Sequence, residues 1–195
     1  MEETRIRHLA RIAAAAAVGR RDALAGYFRE ALAAVPRADL QEAALQVFLF
    51  AGYPRGITAF EALAEAAPGD AARTESPADF AARGEEVFRA VYGPHAADVK
   101  RKLAALHADF ARFVLTNAYG QVLGRPFLGL EEREAMAVAM LAALDQDAQL
   151  RAHVKGALRV GLAAALVRAA LAAAEEGCGR ELPAARKVVE RALSG

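Results

Sequence analysis

The chain has 195 residues, long enough for one domain or two small ones with a real core. Apolar residues make up 55% of it, 52 residues are alanine and tryptophan is absent, which excludes a disordered chain and points to an all-α protein. Lys and Arg number 25 against 24 Asp and Glu, so the net charge of +1 excludes a nucleic-acid binder that works through a basic field; the single Cys178 excludes an internal disulfide, a cysteine-based zinc site and a Cys-x-x-Cys redox pair.

Helix signals follow one another along the chain. Thr4 to Val18 reads as a helix that stops at Gly19. Its apolar run Ile12 to Val18 lacks the flanks of a signal peptide, because Glu2 and Glu3 precede it and Arg20-Arg21 follow it. Asp22 caps a second helix to Val35, which Pro36 ends, and Asp39 caps a third from Leu40 to Ala51, closed by Gly52 and Pro54. A fourth runs from Arg55 to Ala67. The breaker-rich segment 68–78 then reads as a linker.

Past the linker, Asp79 to Tyr92 is a helix that ends at Gly93-Pro94. Ala96 to Tyr119 reads as one long helix, since Val99, Leu103, Leu106, Phe110, Phe113 and Val114 recur at spacings of three and four. Gly120 to Gly129 reads as a turn-rich connection. Leu130 to Leu144 has Glu131 and Glu132 in its first turn, where the helix dipole favours them. Asp147 to Val160, Ala163 to Glu176 and a last helix from Pro183 to Leu193 complete the series. The apolar stretch Gly161 to Ala174 is broken by Arg168 and too short for a bilayer. The expectation is a cytoplasmic protein with no membrane and no nucleic acid among its partners.

Leu24 to Leu32 aligns without gaps with Leu150 to Leu158, and the same offset of 126 sets Arg7 on Arg133 and Ile12 on Val138. This divides the chain into a first helical unit at 1–67, the linker 68–78 and a second unit at 79–195, each covering part of the other's apolar face. The second unit carries the candidate chemistry. Glu134 precedes Val138 by four and Leu141 by seven; His153 follows Leu150 by three and precedes Ala157 by four. Both therefore lie on apolar helix stripes, where a carboxylate and an imidazole are costly unless they meet each other or a ligand. Paired, they form either a general acid–base couple or a hydrogen-bonded core pair.

The segment Arg83 to Gly93, with Tyr119-Gly120, Arg125-Pro126, Leu130, Arg133-Glu134, Leu141 to Leu144, Gln149-Leu150, His153, Gly156-Ala157 and Gly161, resembles the carboxymuconolactone decarboxylase family, which includes alkylhydroperoxidase-D-like proteins. A second piece, Glu42 to Phe60 around Phe50 to Arg55, is similar to a segment that follows the family's core helices. The resemblance implies an all-α, alkylhydroperoxidase-D-like helical fold, a homo-oligomer, a small-molecule substrate and no cofactor. In the hydroperoxidase branch a Cys pair precedes the His that matches His153; here those positions hold Gln146 and Gln149. Without the thiol, disulfide-linked peroxide reduction lacks its nucleophile. The decarboxylase branch keeps the His without the Cys pair, in the setting Gln149-Leu150-x-x-His153.

The resemblance therefore implies cofactor-free acid–base chemistry on a small carboxylated, lactone-like compound. His153 moves the proton, Glu134 orients His153, Arg125 holds the carboxylate, and Tyr119 and Gln149 complete the substrate contacts. At the same offset the first unit has His8 for Glu134 and Tyr27 for His153, so it reads as a degenerate structural copy. The alternative is a non-catalytic oligomeric or binding member, and a lesser one is a peroxidase working through Cys178. No metal site is expected: His95 and His107 lack ligand partners. Phe48, Phe50, Phe60, Phe110 and Phe113 read as core.

Overall fold

The computed structural model describes residues 2–69, 74–75 and 79–194. Among them every regular element is a helix, and there is no strand. The elements are α1 (Glu2–Val18), α2 (Arg21–Ala31), α3 (Arg37–Ala66), α4 (Phe80–Tyr92), α5 (Ala96–Leu106), α6 (Ala108–Phe113), a π-helical segment (Val114–Leu123), α7 (Leu130–Ala143), α8 (Asp147–Arg159), α9 (Ala164–Cys178) and α10 (Pro183–Leu193). A single 3₁₀ turn, Gly93–His95, joins α4 to α5. Most of the expected linker, residues 70–73 and 76–78, lies outside the described residues.

Helices α1 and α7 are central. Every residue of α7 from Arg133 to Ala143 is buried, and so is α1 from Ile12 to Ala17. A helix apolar all round must be covered on every side. On one side Leu9 and Ile12 of α1 with Met136 and Met140 of α7 pack on Leu24, Phe28, Leu40 and Val47 of α2 and α3. On the other, Ile6, Ala10 and Ala14 with Val138 pack on Leu150, Val167, Leu171 and Val189 of α8, α9 and α10. Helices from before and after residue 78 thus share both clusters. A third cluster, Phe88, Val91, Leu115, Tyr119 and Leu123, joins α4 to the π-helical segment.

Expectations change at several helix ends: α2 runs from Arg21 only to Ala31, and Asp22 lies in its first turn, paired with Arg20 at 3.1 Å, rather than capping it. The long helix expected from Ala96 to Tyr119 breaks at His107, which is extended (φ −169°, ψ 126°). Its Nδ1 accepts the backbone N–H groups of Asp109 and Phe110 at 3.2 and 3.3 Å, so a histidine does the work of an N-cap. The helical path also continues through Gly120 to Leu123 with a wider turn, seen where the Gly124 N–H donates to the Tyr119 carbonyl at 2.9 Å. Finally, α3 starts at Arg37, and Asp39 is used as an ion-pair partner of Arg5 at 2.8 Å rather than as a cap.

Two glycines explain why α4 can lie so close to the π-helical segment. A Cβ on Gly84 would collide with the main-chain oxygen of Leu115, and one on Gly120 with that of Phe80. Backbone cannot move aside as a flexible side chain can, so both positions require glycine. Gly52 has a different role. Its φ of 81° is left-handed, and it kinks α3 between residues 37–51 and 53–66. The first arm ends with Leu49 against the third cluster and Phe50 against the first two, and both line one cavity.

Candidate active site

Glu134 comes from the second turn of α7 and His153 from the middle of α8. Each is held by the apolar stripe it stands on: Ala135 and Val138 beside the first, Leu150, Val154 and Ala157 beside the second, all buried. The two side chains meet, with His153 Nδ1 3.0 Å from Glu134 Oε2. Glu134 is fully buried and His153 is 7% exposed. With Glu134 as the carboxylate it accepts from the imidazole Nδ1–H, which leaves Nε2 as the nitrogen for other chemistry. Glu134 Oε1 has no hydrogen-bond partner among the described residues.

Gly156 makes this contact geometrically accessible. A Cβ there would sit 2.7 Å from Val91 Cγ1 and 2.9 Å from Glu134 Oε2. Its missing side chain lets α8 lie against α4 and against the carboxylate. The edge of the Phe50 ring then meets His153, with centroids 5.8 Å apart and planes at 72°.

His153 forms part of the wall of a cavity of about 300 Å³, near the lower end of small-molecule sites. Leu49 and Phe50 of α3, Phe110 and Phe113 of α6, and Tyr92 and Tyr119 contribute most of its aromatic and aliphatic lining, with Asn117 as a further polar group. Phe110 and Phe113 are 49% and 55% exposed, so the cavity reaches solvent on their side. The two tyrosines form a pair of their own: the Tyr119 hydroxyl donates to the Tyr92 oxygen at 3.2 Å. Burial pushes both phenols up, Tyr119 furthest, so both stay protonated at neutral pH.

The structure brings His153, Glu134 and Tyr119 together and places the other expected residues elsewhere. Gln149 is exposed on α8 and does not line the cavity. Arg125 is tied to Glu42, Nε to Oε2 at 2.8 Å and Nη2 to Oε1 at 2.9 Å, with Glu75 at 3.4 Å. Arg133, fully buried, adds Nη2 to the same Glu42 oxygen at 3.1 Å. Gln46 ties the group to the backbone, donating to the Arg133 carbonyl at 2.8 Å. This network clamps the start of α7 to α3 and has none of its members in the cavity wall.

In the first unit, Arg11 stands between His8 and Tyr27. Its Nη2 lies 3.4 Å from His8 Nδ1 and its guanidinium covers the Tyr27 ring at 4.4 Å. Tyr27 itself donates to the Glu176 carbonyl at 3.2 Å. Cys178 is buried at the end of α9, and burial pushes its thiol up, away from thiolate. Among the described residues, no three His, Cys, Asp or Glu gather as a metal site would need, and no helix is long and apolar enough to cross a membrane.

The sequence reading missed the aromatic half of the site. Phe50, Phe110 and Phe113 were expected in the core, but they line the cavity, and the latter two face solvent. Periodicity marks an apolar face without telling a packed face from one that looks into a cavity. Tyr92 had one local signal, its place at the last turn of α4 just before Gly93.

A helical fold with a buried acid–imidazole pair at the wall of a small-molecule-sized cavity defines the class. A model of the carboxymuconolactone decarboxylase family matches residues 108–191, the stretch that carries Glu134, His153 and Tyr119. Peroxisomal protein 2 of Schizosaccharomyces pombe is 29% identical to the chain over 163 residues, which cover 79% of this chain and 76% of that protein.

Proposed function

We propose that the protein carries out acid–base chemistry on a small, lactone-like molecule bound in the cavity beside His153. The observation that carries this reading is the 3.0 Å contact between Glu134 Oε2 and His153 Nδ1, at the wall of a solvent-connected cavity. Glu134 holds the ring and its tautomer, and Nε2 moves the proton. Decarboxylation is one reaction this serves. Loss of carbon dioxide leaves a carbanion, and a positioned acid protonates it if the substrate delocalises the charge.

The test is a turnover screen over small lactones and lactone acids, followed by His153→Gln on each substrate found. Loss of a positioned acid–base group lowers the rate by about 10²–10⁴-fold. Full turnover in His153→Gln would make the reading wrong. The proposal also takes the working form as a homo-oligomer in the cytoplasm. Light scattering tests the first point. Cell fractionation tests the second, and the relative's name makes the peroxisomal fraction the one to compare.

A further inference from the structure

The cavity has a marked imbalance of polar groups. Among its described lining residues there is no lysine or arginine. Arg125 and Arg133 are committed to Glu42, and Arg112, stacked over the ring of the lining Phe113 at 5.0 Å, is paired with Asp109 at 2.9 Å on the exposed side. Among the described residues the buried formal charge next to the wall is negative: the carboxylate of Glu134, fully buried and bonded to His153. An anion entering here would leave water, find no buried countercharge among the described lining residues and face that carboxylate.

The hydroxyls add a direction. Tyr119 donates to the Tyr92 oxygen, which leaves the Tyr92 proton as the donor of the pair that is available to a ligand. His153 Nε2 supplies an acceptor in the same wall. A donor and a base facing one apolar space of about 300 Å³ match a molecule with a hydrogen-bond acceptor and an acidic C–H beside it.

We infer that the cavity takes an uncharged carbonyl compound, a ketone or ester-like lactone with an apolar body, whose oxygen is held by the Tyr92 hydroxyl. This inference rests on the acid–base reading above and names the substrate class of that same site, and it narrows the chemistry there from loss of carbon dioxide, which needs a carboxylate substrate, to proton transfer beside a carbonyl. In the step it implies, His153 Nε2 removes a proton from the carbon next to the carbonyl. The C–H electron pair becomes the C=C bond, and the carbonyl π pair moves onto oxygen, where Tyr92 stabilises it. Return of the proton to the same or a conjugated carbon restores the carbonyl with no change in oxidation state.

The experiment uses the whole protein and three probes of similar size: acetophenone, benzoate and ethylbenzene, titrated by NMR at pH 8. The expected result is that acetophenone binds at least about tenfold more tightly than benzoate, as the cost of burying an unpaired charge requires. Tyr92→Phe is expected to weaken acetophenone by about fivefold, the scale of one neutral hydrogen bond, and to leave ethylbenzene unchanged. Benzoate binding as well as acetophenone, Tyr92→Phe weakening both neutral probes alike, or no probe binding at millimolar concentration would each overturn the inference. Exchange of the acetophenone methyl hydrogens with D₂O separates this from the acid–base reading. If the binding preference holds but exchange is the same in His153→Gln, the substrate class stands and the proton-transfer role of His153 falls.

Discussion

Arg125 and Glu42 form a two-pronged ion pair, 2.8 and 2.9 Å, that joins the loop before α7 to the first arm of α3. Glu42 is only 2% exposed and is shared with the fully buried Arg133. Replacing Glu42 with Gln takes the carboxylate from the fully buried Arg133 and leaves Arg125 with Glu75 at 3.4 Å. Removing one partner of a buried pair costs about 3–5 kcal/mol. Urea unfolding of Glu42→Gln is expected to show a loss on that scale. Arg125→Met is expected to lose stability as well while leaving any His153-dependent proton exchange intact, because Arg125 stands outside the cavity wall.

Glycine substitutions in two places should have opposite signs. A Cβ on Gly84 meets the Leu115 main-chain carbonyl, so Gly84→Ala forces α4 off the π-helical segment. A loss of about 1–3 kcal/mol or more is expected, as for other overpacked sites. Gly26, within α2, has open space where a Cβ would go. Gly26→Ala is expected to stabilise by about 0.5–1 kcal/mol, the helix-propensity difference. Thermal melts of the two variants check both signs.

Cys178 is expected to label slowly. Burial raises its thiol, so little thiolate is present at pH 8. A thiol-labelling time course should be slow in the native protein and fast in urea. Native labelling at the rate of a free cysteine would reopen peroxide chemistry at this residue.

Stability should fall at both ends of the pH range for separate reasons. The hydrogen bond from Arg83, aided by the charges of Arg83 and Arg125, holds the Glu75 carboxyl below its ordinary value of 4.5. The unfolded chain therefore binds the proton first. Glu75's contribution is present above pH 4.5 and is lost as pH drops through the folded value. Tyr119 behaves conversely. Burial raises its phenol well above 10.0, so above pH 10 the unfolded state alone ionises and stability declines. Unfolding midpoints of Glu75→Gln and Tyr119→Phe should be flatter than the parent at the acid and alkaline ends respectively.

The Glu134–His153 contact was legible in the sequence because both residues stand on the buried apolar stripes of their helices. A charged group on such a stripe has to find a partner, and each was the nearest candidate for the other. Arg125 was not legible in the same way. Its partner Glu42 lies on a different helix far away in sequence, and no local pattern shows that a turn arginine is already neutralised. The break at His107 carried neither glycine nor proline, and Gly120 read as a stop although its role is close approach to Phe80. The helix order was carried by alanine, apolar spacing and breakers. The walls of the cavity depend on which faces meet, and that is decided only by packing.

The alanine-built interface of α1 with α7 and α9 has a dynamic consequence. Alanine has no χ rotamers to freeze on folding and none to change afterwards. The alanine strip between these three helices is therefore a stiff frame with few side chains to repack, in contrast to the Met136 and Met140 side of α7. Adjustment to differently shaped molecules falls to the rings of Phe50, Phe110 and Phe113, so selectivity should evolve by exchanging those three side chains while the frame behind them stays fixed.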